Sequence, residues 1–279
     1  MKRRLPTELG IVLAFTDAEV PLMQQESDVI FAIEGAIATI TLNRTARHNA
    51  LTTGMLDDID RYVANVERND KVRVLKFASN SQRFFCSGAD INEWGDIDPQ
   101  QMGTRFIRDG NRVFRRIAEL DKPTIAVLSG SALGGGLELA LACDFRYASV
   151  DARIGFPEAA VGAIPGWMGC ARLSELVGAT RTRELILLGE PVGAAIAAQW
   201  GIVNEALAAD ALSARVDAVC ATLQKRSTTS LSVGKRLVRM MESGQHEYAH
   251  ELAASVCKAS PDAAEGVAAF REKRHANFG

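Results

Sequence analysis

The sequence predicts an α/β domain followed by a helical region, and three observations support this. Up to about residue 209, apolar runs rich in β-branched residues alternate with segments of helical period. At more than one point two such runs precede a single helix, which differs from the simple alternation of a doubly wound sheet. From about Asp210 onward the period is helical throughout. We therefore expect three regions: an N-terminal extension (1–27), an α/β core (28–209) and a C-terminal helical region (210–279).

Length and composition narrow the class of protein. The chain has 279 residues, 47% of them hydrophobic, which is enough to bury a large core. A formal net charge of −2 does not provide the basic surface of a nucleic-acid-binding protein. The five cysteines are scattered and lack C-x-x-C spacing, which predicts reduced thiols and a cytoplasmic location. No apolar run approaches the roughly 20 residues of a membrane span, so we expect no membrane partner.

The first half of the core is predicted to contain a hairpin, a helix and a further strand. β-rich runs at 29–33 and 36–42 flank a turn at Glu34-Gly35. Thr52 or Thr53 can cap a helix that runs to about residue 68, with apolar side chains on one face. The next strand is expected at 72–77, and a loop at 84–91 follows it.

The second half repeats this pattern around a glycine-rich turn. A helix is predicted from Pro99 to about residue 120, and strands are predicted at 123–128 and 145–148. Between those strands the glycine turn opens a helix, and Pro157-Glu158 starts another one, because proline suits the first helical turn. From about Ala171 the pattern is helical, interrupted by a strand at 202–205.

The glycine turn, Gly134-Gly-Gly-Leu-Glu138, is the first candidate functional element. Glycine allows unusual backbone angles and close approach of N–H groups to a ligand. A helix start adds unpaired N–H donors and the positive end of the helix dipole, so this geometry suits an anion. Glu138 would be unfavourable in a phosphate site, but it is well placed for proton transfer beside a developing oxyanion.

Several familiar motifs are absent or weak. The segment His246-Glu-Tyr-Ala-His250 matches the H-E-x-x-H pattern of zinc peptidases, but no third ligand can be assigned by spacing, so we expect no metal site and interpret it as a polar helix surface. The glycines lack the G-x-G-x-x-G spacing of dinucleotide sites, and Gly234-Lys235 lacks the upstream glycine of a P-loop. No G-x-S-x-G nucleophile motif occurs.

Three pieces remain that together indicate a catalytic site. One is the loop Phe85-Cys-Ser-Gly-Ala-Asp90, the second is the glycine turn, and the third is Phe156-Pro-Glu-Ala-Ala-Val-Gly-Ala-Ile-Pro-Gly166. The last two carry Glu138 and Glu158, each in an apolar stretch. Acids are seldom buried unless they have partners or a function, so the pair is a candidate for acid–base work.

These pieces resemble the crotonase (enoyl-CoA hydratase/isomerase) superfamily. The resemblance covers about residues 28 to 279 and includes Asn43-Arg44, Asn49-Ala-Leu51, Trp200-Gly-Ile-Val-Asn-Glu205 and Phe270-Arg-Glu-Lys-Arg274. It implies a crotonase-like core of superhelical ββα repeats, as in the ClpP/crotonase fold, with a C-terminal helical region in a trimer interface. It also implies a homotrimer or a dimer of trimers.

The resemblance implies specific roles for the site residues. The substrate would be an acyl-CoA thioester whose carbonyl is held by the backbone N–H groups of Ser87 and Gly135. Glu138 would activate water, and Glu158 would exchange the proton at the α-carbon. Coenzyme A would enter as part of the substrate, with no tightly bound cofactor. Its contacts would come from Arg47, Gly88, Ala89, Asp90, Gly134, Phe270 and Lys273, the last two reaching the CoA of a neighbouring subunit.

The function that follows is hydration of a 2-enoyl-CoA to a 3-hydroxyacyl-CoA in fatty acid metabolism. Retention of both glutamates favours this reaction over enoyl-CoA isomerisation and over the lyase or hydrolase reactions of the superfamily. The sequence departs from the superfamily at Trp167, where small residues are frequent, so we expect a reshaped or shortened acyl pocket; Trp94 is a second candidate for its lining. For both tryptophans, ordinary core packing is an equally open role. Two further functions remain open: a non-catalytic CoA-binding scaffold, and a zinc peptidase built on His246 and His250.

Overall fold

The computed structural model describes residues 27–242 and 247–278, so the predicted extension lies outside the described residues except for Ser27. The chain folds into two sheets surrounded by helices. The strands are β1 (Val29–Glu34), β2 (Ile37–Leu42), β3 (Val74–Ser79), β4 (Phe84–Cys86), β5 (Thr124–Leu128), β6 (Ser131–Leu133), β7 (Phe145–Ser149), β8 (Arg153–Gly155), β9 (Val192–Gly193) and β10 (Glu205–Leu207).

The helices of the core and of the C-terminal region follow in chain order. They are α1 (Thr53–Arg68), α2 (Ile91–Asp96), α3 (Pro99–Gln101), α4 (Arg108–Glu119), α5 (Gly135–Leu141), α6 (Gly169–Leu188), α7 (Ala194–Gln199), α8 (Ala209–Gln224), α9 (Thr228–Glu242), α10 (Glu247–Ala259) and α11 (Pro261–Glu272). Short 3-10 helices lie at Thr45–Arg47 and Glu158–Val161, and the π-helical segment Met102–Ile107 joins α3 to α4.

The larger sheet has the strand order β1-β2-β3-β5-β7-β10, antiparallel between β1 and β2 and parallel elsewhere. The smaller sheet has the order β4-β6-β8-β9. Each of β3, β5 and β7 continues into a short strand of the smaller sheet and then into helical structure. This repeat confirms the predicted crotonase-like ββα architecture. It also places the carboxyl ends of β4, β6 and β8 side by side, because these strands pair in parallel.

The predicted hairpin and first helix are present. Thr52 is the N-cap of α1, and its side chain accepts a hydrogen bond from the Met55 N–H at 3.2 Å. The helix buries the apolar face that its period indicates, including Ile59 and Val63. The helix predicted after Pro99 is interrupted by the π-helical segment, whereas the sequence period predicts a continuous α-helix.

Two details of the sequence prediction are wrong. The last strand occupies Glu205–Leu207 instead of 202–205. Ile202 and Val203 are buried, but their N–H groups donate to the Ala197 carbonyl at the end of α7, so their apolar character reflects a buried helix end. The segment 84–91 is also not entirely a loop, because its first three residues form β4.

The two faces of the larger sheet are covered differently. One face forms the main core, which includes Phe77, Phe85 and Phe114. The other face carries Val74, Ile125 and Tyr147, and α8 covers it with Leu212, Val216, Cys220 and Leu223. The helix α8, at the start of the C-terminal helical region, therefore packs against the α/β core. Across the described residues, no helix is both long and apolar enough to cross a bilayer.

Candidate active site

A cavity of about 360 Å³ opens where the carboxyl ends of β4, β6 and β8 meet. Its walls are formed by the three segments that follow these strands and by the helical stretch around Phe106. Ser87, Gly88, Ala89, Gly134, Gly135, Glu138, Glu158 and Trp167 all line it. The cavity therefore brings together eight of the twelve site residues predicted from the sequence.

The glycine turn is required by three different close contacts. Gly134 has φ +52°, and a Cβ there would lie 2.8 Å from Glu158 Oε1. A Cβ at Gly135 would lie 2.6 Å from Cζ3 of Trp167, and one at Gly136 would lie 2.4 Å from the Cys86 carbonyl oxygen. Real side chains do not approach so closely, so each glycine makes room for a different neighbour. The turn brings α5 against β4 and leaves space for the second carboxyl group.

Glu138 projects from α5 into the cavity and is only 2% exposed. Its Oε1 accepts hydrogen bonds from the N–H groups of Trp167 and Gly169, both at 2.7 Å. Met168, between these donors, has φ +70°, and this left-handed residue lets both N–H groups converge on one oxygen. Burial raises the pKa of Glu138 from 4.5 to about 7, because its effect is larger than the lowering of the pKa by the two N–H donors. The nearby charge of Glu158 adds to the increase.

Glu158 begins the 3-10 helix that follows β8, as the proline before it suggests. Burial raises its pKa from 4.5 to about 7 as well. Its Oε2 is buried and has no hydrogen-bond partner among the described residues. An unpaired carboxyl oxygen in a cavity is costly unless a ligand or substrate group meets it, so Glu158 is available to exchange a proton.

The backbone donors of the cavity differ from the predicted pair in one position. The Ser87 N–H donates to the His48 carbonyl at 3.1 Å, so it is already engaged and the prediction for Ser87 is revised. The backbone nitrogen of Ala89, two residues after Ser87, lies close to Gly135: a Cβ added to Gly135 would be 3.3 Å from it. Neither the Ala89 N–H nor the Gly135 N–H has an acceptor among the described residues. These two neighbouring amides are therefore the pair that can hold a carbonyl oxygen.

The segment that carries Ala89 is held by the loop before α1. Leu51 donates to the Gly88 carbonyl and accepts from the Asp90 N–H, both at 2.8 Å, and these bonds flank Ala89. The buried Asp90 side chain accepts from Arg44 Nη1 at 2.6 Å and caps α2. Burial opposes the charge of Asp90, but the Arg44 guanidinium and the α2 amides hold its pKa below the usual 3.8. Asp90 and Arg44 therefore fix the donor segment, a role that no sequence motif indicated.

Trp167 both packs in the core and lines the cavity. It is 2% exposed and contacts Phe106 and Phe114 at ring-centroid distances of 5.2 and 5.3 Å. Its indole N–H donates to the Phe106 carbonyl at 3.4 Å. Its own carbonyl accepts from Arg172 Nη1 at 2.9 Å. Trp94, which is partly exposed, lines the cavity as well.

The remaining predicted residues lie outside the cavity wall. The Asp90 side chain is turned toward Arg44. Arg47 is exposed in the 3-10 helix before α1. Phe270 on α11 is 86% exposed, and Lys273, which follows α11, is exposed as well. Of the H-E-x-x-H segment, His246 falls outside the described residues, and the described part of the chain contains no cluster of three potential metal ligands.

Two carboxyl groups and two unpaired amides in one cavity of a ββα-repeat fold are typical of the crotonase superfamily. A family model described as enoyl-CoA hydratase/isomerase matches residues 32–279. The chain therefore belongs to the enoyl-CoA hydratase/isomerase family, and the resemblance stated from the sequence is confirmed.

Individual relatives agree with this assignment. The chain is 33% identical to the short-chain-enoyl-CoA hydratase of Clostridium acetobutylicum over 89% of its own length and 96% of the relative. It is 32% identical to the crotonyl-CoA hydratase of Syntrophomonas wolfei over 90% of its length and 97% of the relative. The crystal structure of an enoyl-CoA hydratase from Bacillus anthracis matches with a TM-score of 0.85 at 26% identity, over 90% of this chain and 99% of that one.

Proposed function

We propose that this protein hydrates 2-enoyl-CoA thioesters to 3-hydroxyacyl-CoA thioesters. The observation that carries the proposal is the pair Glu138 and Glu158, which line one cavity and whose pKa values are both raised to about 7. Near neutral pH such a pair can hold one proton between them, so that one group acts as base and the other as acid. The names of the relatives, short-chain-enoyl-CoA and crotonyl-CoA hydratase, support the same reaction.

The backbone amides supply the electrostatic part of the mechanism. The thioester oxygen accepts hydrogen bonds from the N–H groups of Ala89 and Gly135. Because addition to the double bond turns this oxygen into an enolate, donors fixed in advance stabilise the transition state more than the substrate. Each donor of this kind contributes about 10²–10³ in rate. Gly135 is the first residue of α5, so the helix start adds its dipole to the same point.

The two glutamates divide the proton transfers. The Glu138 carboxylate accepts a proton from water as the water oxygen bonds to C3 of the substrate. The carboxylic acid of Glu158 delivers a proton to C2, where the enolate electrons form the new C–H bond. The enzyme returns to its starting state when a proton passes from Glu138 to Glu158. Water and the enoyl thioester are thus consumed in equal amounts, and no other reactant is needed.

The CoA moiety and the assembly complete the proposal. The exposed side chain of Arg47 is suited to a CoA phosphate, and the Gly88–Asp90 backbone lies beside the cavity for the pantetheine. Phe270 is an exposed aromatic residue on α11 and supports an interface with a neighbouring subunit. We therefore propose a homotrimer or a dimer of trimers in which Phe270 and Lys273 contact the partner's CoA.

Loss of the enoyl-thioester absorbance of crotonyl-CoA tests the reaction directly. Glu138→Gln and Glu158→Gln should each lower kcat by about 10²–10⁴, the usual contribution of a positioned acid or base. Glu119→Gln, an exposed carboxylate on α4, serves as the matched control and should leave kcat unchanged.

The assay also distinguishes hydration from the competing functions. Turnover of 3-enoyl-CoA without hydration would identify an isomerase. CoA binding without turnover of any acyl-CoA would identify a scaffold. Either result contradicts the proposed hydration. If only one of the two glutamate variants loses activity, the division of roles given above is wrong.

A further inference from the structure

The inner end of the cavity is closed by the indole ring of Trp167. Residues that line the cavity differ strongly in exposure: Ile164 is 78% exposed and Val161 58%, whereas Trp167 and Phe106 are 2% and 4% exposed. The exposed residues therefore form the mouth, and the two aromatic rings form the inner wall. Any acyl chain that enters beside the glutamates meets this wall.

The ring is held in place from several sides. A Cβ at Gly110 on α4 would lie 2.2 Å from Trp167 Nε1. Because Gly110 has no side chain, the backbone of α4 lies directly against the indole ring. Gly135 contacts the opposite part of the ring, where a Cβ would lie 2.6 Å from Cζ3. The Phe114 ring, in a T-shaped contact with the indole, and the carbonyl of Phe106 complete the enclosure. A ring in such a close-packed site cannot swing aside to lengthen the cavity.

The backbone of Trp167 reinforces this restriction. Its N–H is one of the two donors to Glu138 Oε1, and its carbonyl accepts from Arg172. A shift of the residue as a whole would therefore disturb Glu138. The π-helical segment Met102–Ile107 contributes Phe106 and Ile107 to the same wall, and a Cβ at Gly166 would lie 2.4 Å from Ile107 Cδ1. The loop that carries Gly166 and the π-helical segment Met102–Ile107 are thus closely packed at the inner end of the cavity.

We propose that Trp167 is a specificity-determining residue that restricts the enzyme to short-chain 2-enoyl-CoA substrates. The inference rests on the proposed hydration, since it names the acyl class of the same site. Apolar walls favour an unsubstituted hydrocarbon chain, and the fixed indole limits how far that chain extends beyond the thioester. One methylene more or less in an apolar pocket changes kcat/KM by about 10–200-fold, so a fixed wall discriminates strongly.

The test compares chain-length profiles of matched variants. kcat/KM is measured for crotonyl-CoA and 2-decenoyl-CoA with the wild type, Trp167→Ala and Trp167→Leu; the leucine variant keeps more of the buried volume if the alanine variant does not fold. All of these substitutions retain the backbone N–H that holds Glu138. Phe77→Leu is the control, because Phe77 is a fully buried aromatic residue of the main core that does not line the cavity.

We expect the wild type to prefer crotonyl-CoA and the Trp167 variants to raise the decenoyl-to-crotonyl ratio of kcat/KM at least about 10-fold. Phe77→Leu should leave this ratio within about 2-fold of the wild type, since it changes core packing away from the indole ring and its neighbours. Equal efficiency of the wild type on both substrates, or an unchanged ratio in the Trp167 variants, would overturn the inference.

Binding of saturated acyl-CoAs keeps this inference separate from the proposed reaction. Affinities for butyryl-CoA and decanoyl-CoA, measured by calorimetry, show whether Trp167 limits the length of the bound acyl chain, and they require no turnover. If no enoyl-CoA is hydrated but butyryl-CoA binds more tightly and Trp167→Leu removes the preference, the reaction is wrong and the specificity stands. If hydration occurs and decanoyl-CoA binds the wild type as tightly as butyryl-CoA, the specificity is wrong and the reaction stands.

Discussion

Replacing Glu138 by glutamine should make the stability of the protein depend less on pH. The pKa of Glu138 is about 7 in the folded protein and 4.5 in its ordinary state, because burial disfavours the charged carboxylate. Between these values the folded protein keeps a proton that the unfolded chain has lost. The wild type therefore loses stability as the pH rises through this window, whereas glutamine does not titrate. Glu138→Gln should gain stability relative to the wild type as the pH increases.

The magnitude follows from the two pKa values. At about 1.4 kcal/mol per pH unit, the interval from 4.5 to about 7 corresponds to about 3–4 kcal/mol in total. Between pH 5 and pH 8 the difference in unfolding free energy between variant and wild type should increase by about 2–3 kcal/mol, since a small part is already present at pH 5. Urea unfolding followed by circular dichroism at fixed protein concentration measures this difference.

A second buried carboxylate provides the control. Asp90 is 5% exposed, but its pKa is held below 3.8, so its contribution to stability is lost only as the pH falls through that low value. Asp90→Asn should therefore differ from the wild type by a constant amount between pH 5 and pH 8. A constant or decreasing difference for Glu138→Gln over the same range would refute the assignment of a buried, proton-retaining carboxyl group at this position.

The site makes four further outcomes testable. The pH profile of kcat/KM should be bell-shaped with apparent pKa values on either side of about 7, because Glu138 and Glu158 titrate as a coupled pair; a flat profile from pH 5 to 9 would contradict this. Gly134→Ala should abolish activity, since φ +52° is strained for a residue with a side chain and a Cβ 2.8 Å from Glu158 Oε1 would displace that carboxyl group; wild-type kinetics would contradict this. Arg44→Ala should lower the unfolding free energy by about 3 kcal/mol, measured by thermal unfolding, because it leaves the buried Asp90 without the Arg44 guanidinium. Arg47→Ala should instead raise KM for the CoA substrate, measured by kinetics, at unchanged stability.

The local elements were predictable where a pattern and a terminal signal coincide. The period of α1 and its cap at Thr52 are properties of neighbouring residues, so they are present in the sequence itself. The short strands β4, β6 and β8 were harder to predict because three residues are too few to establish a period. These short strands form because the preceding strands β3, β5 and β7 are neighbours in the larger sheet and place them side by side. Likewise, Ile202 and Val203 have a strand-like composition, but they are buried at the end of a helix.

The chemistry of the site divides in the same way. The types of residue needed for it, three glycines and two glutamates in apolar surroundings, are evident from the sequence, since few roles other than a functional site require unusual backbone angles and buried acids together. Which amides remain unpaired was decided by tertiary structure: the loop before α1 occupies the Ser87 N–H and leaves that of Ala89 beside Gly135. The same holds for Trp167, whose place as the inner wall depends on a missing side chain at Gly110, far from it in the sequence. Contacts of this kind join distant residues, and only the folded chain brings them together.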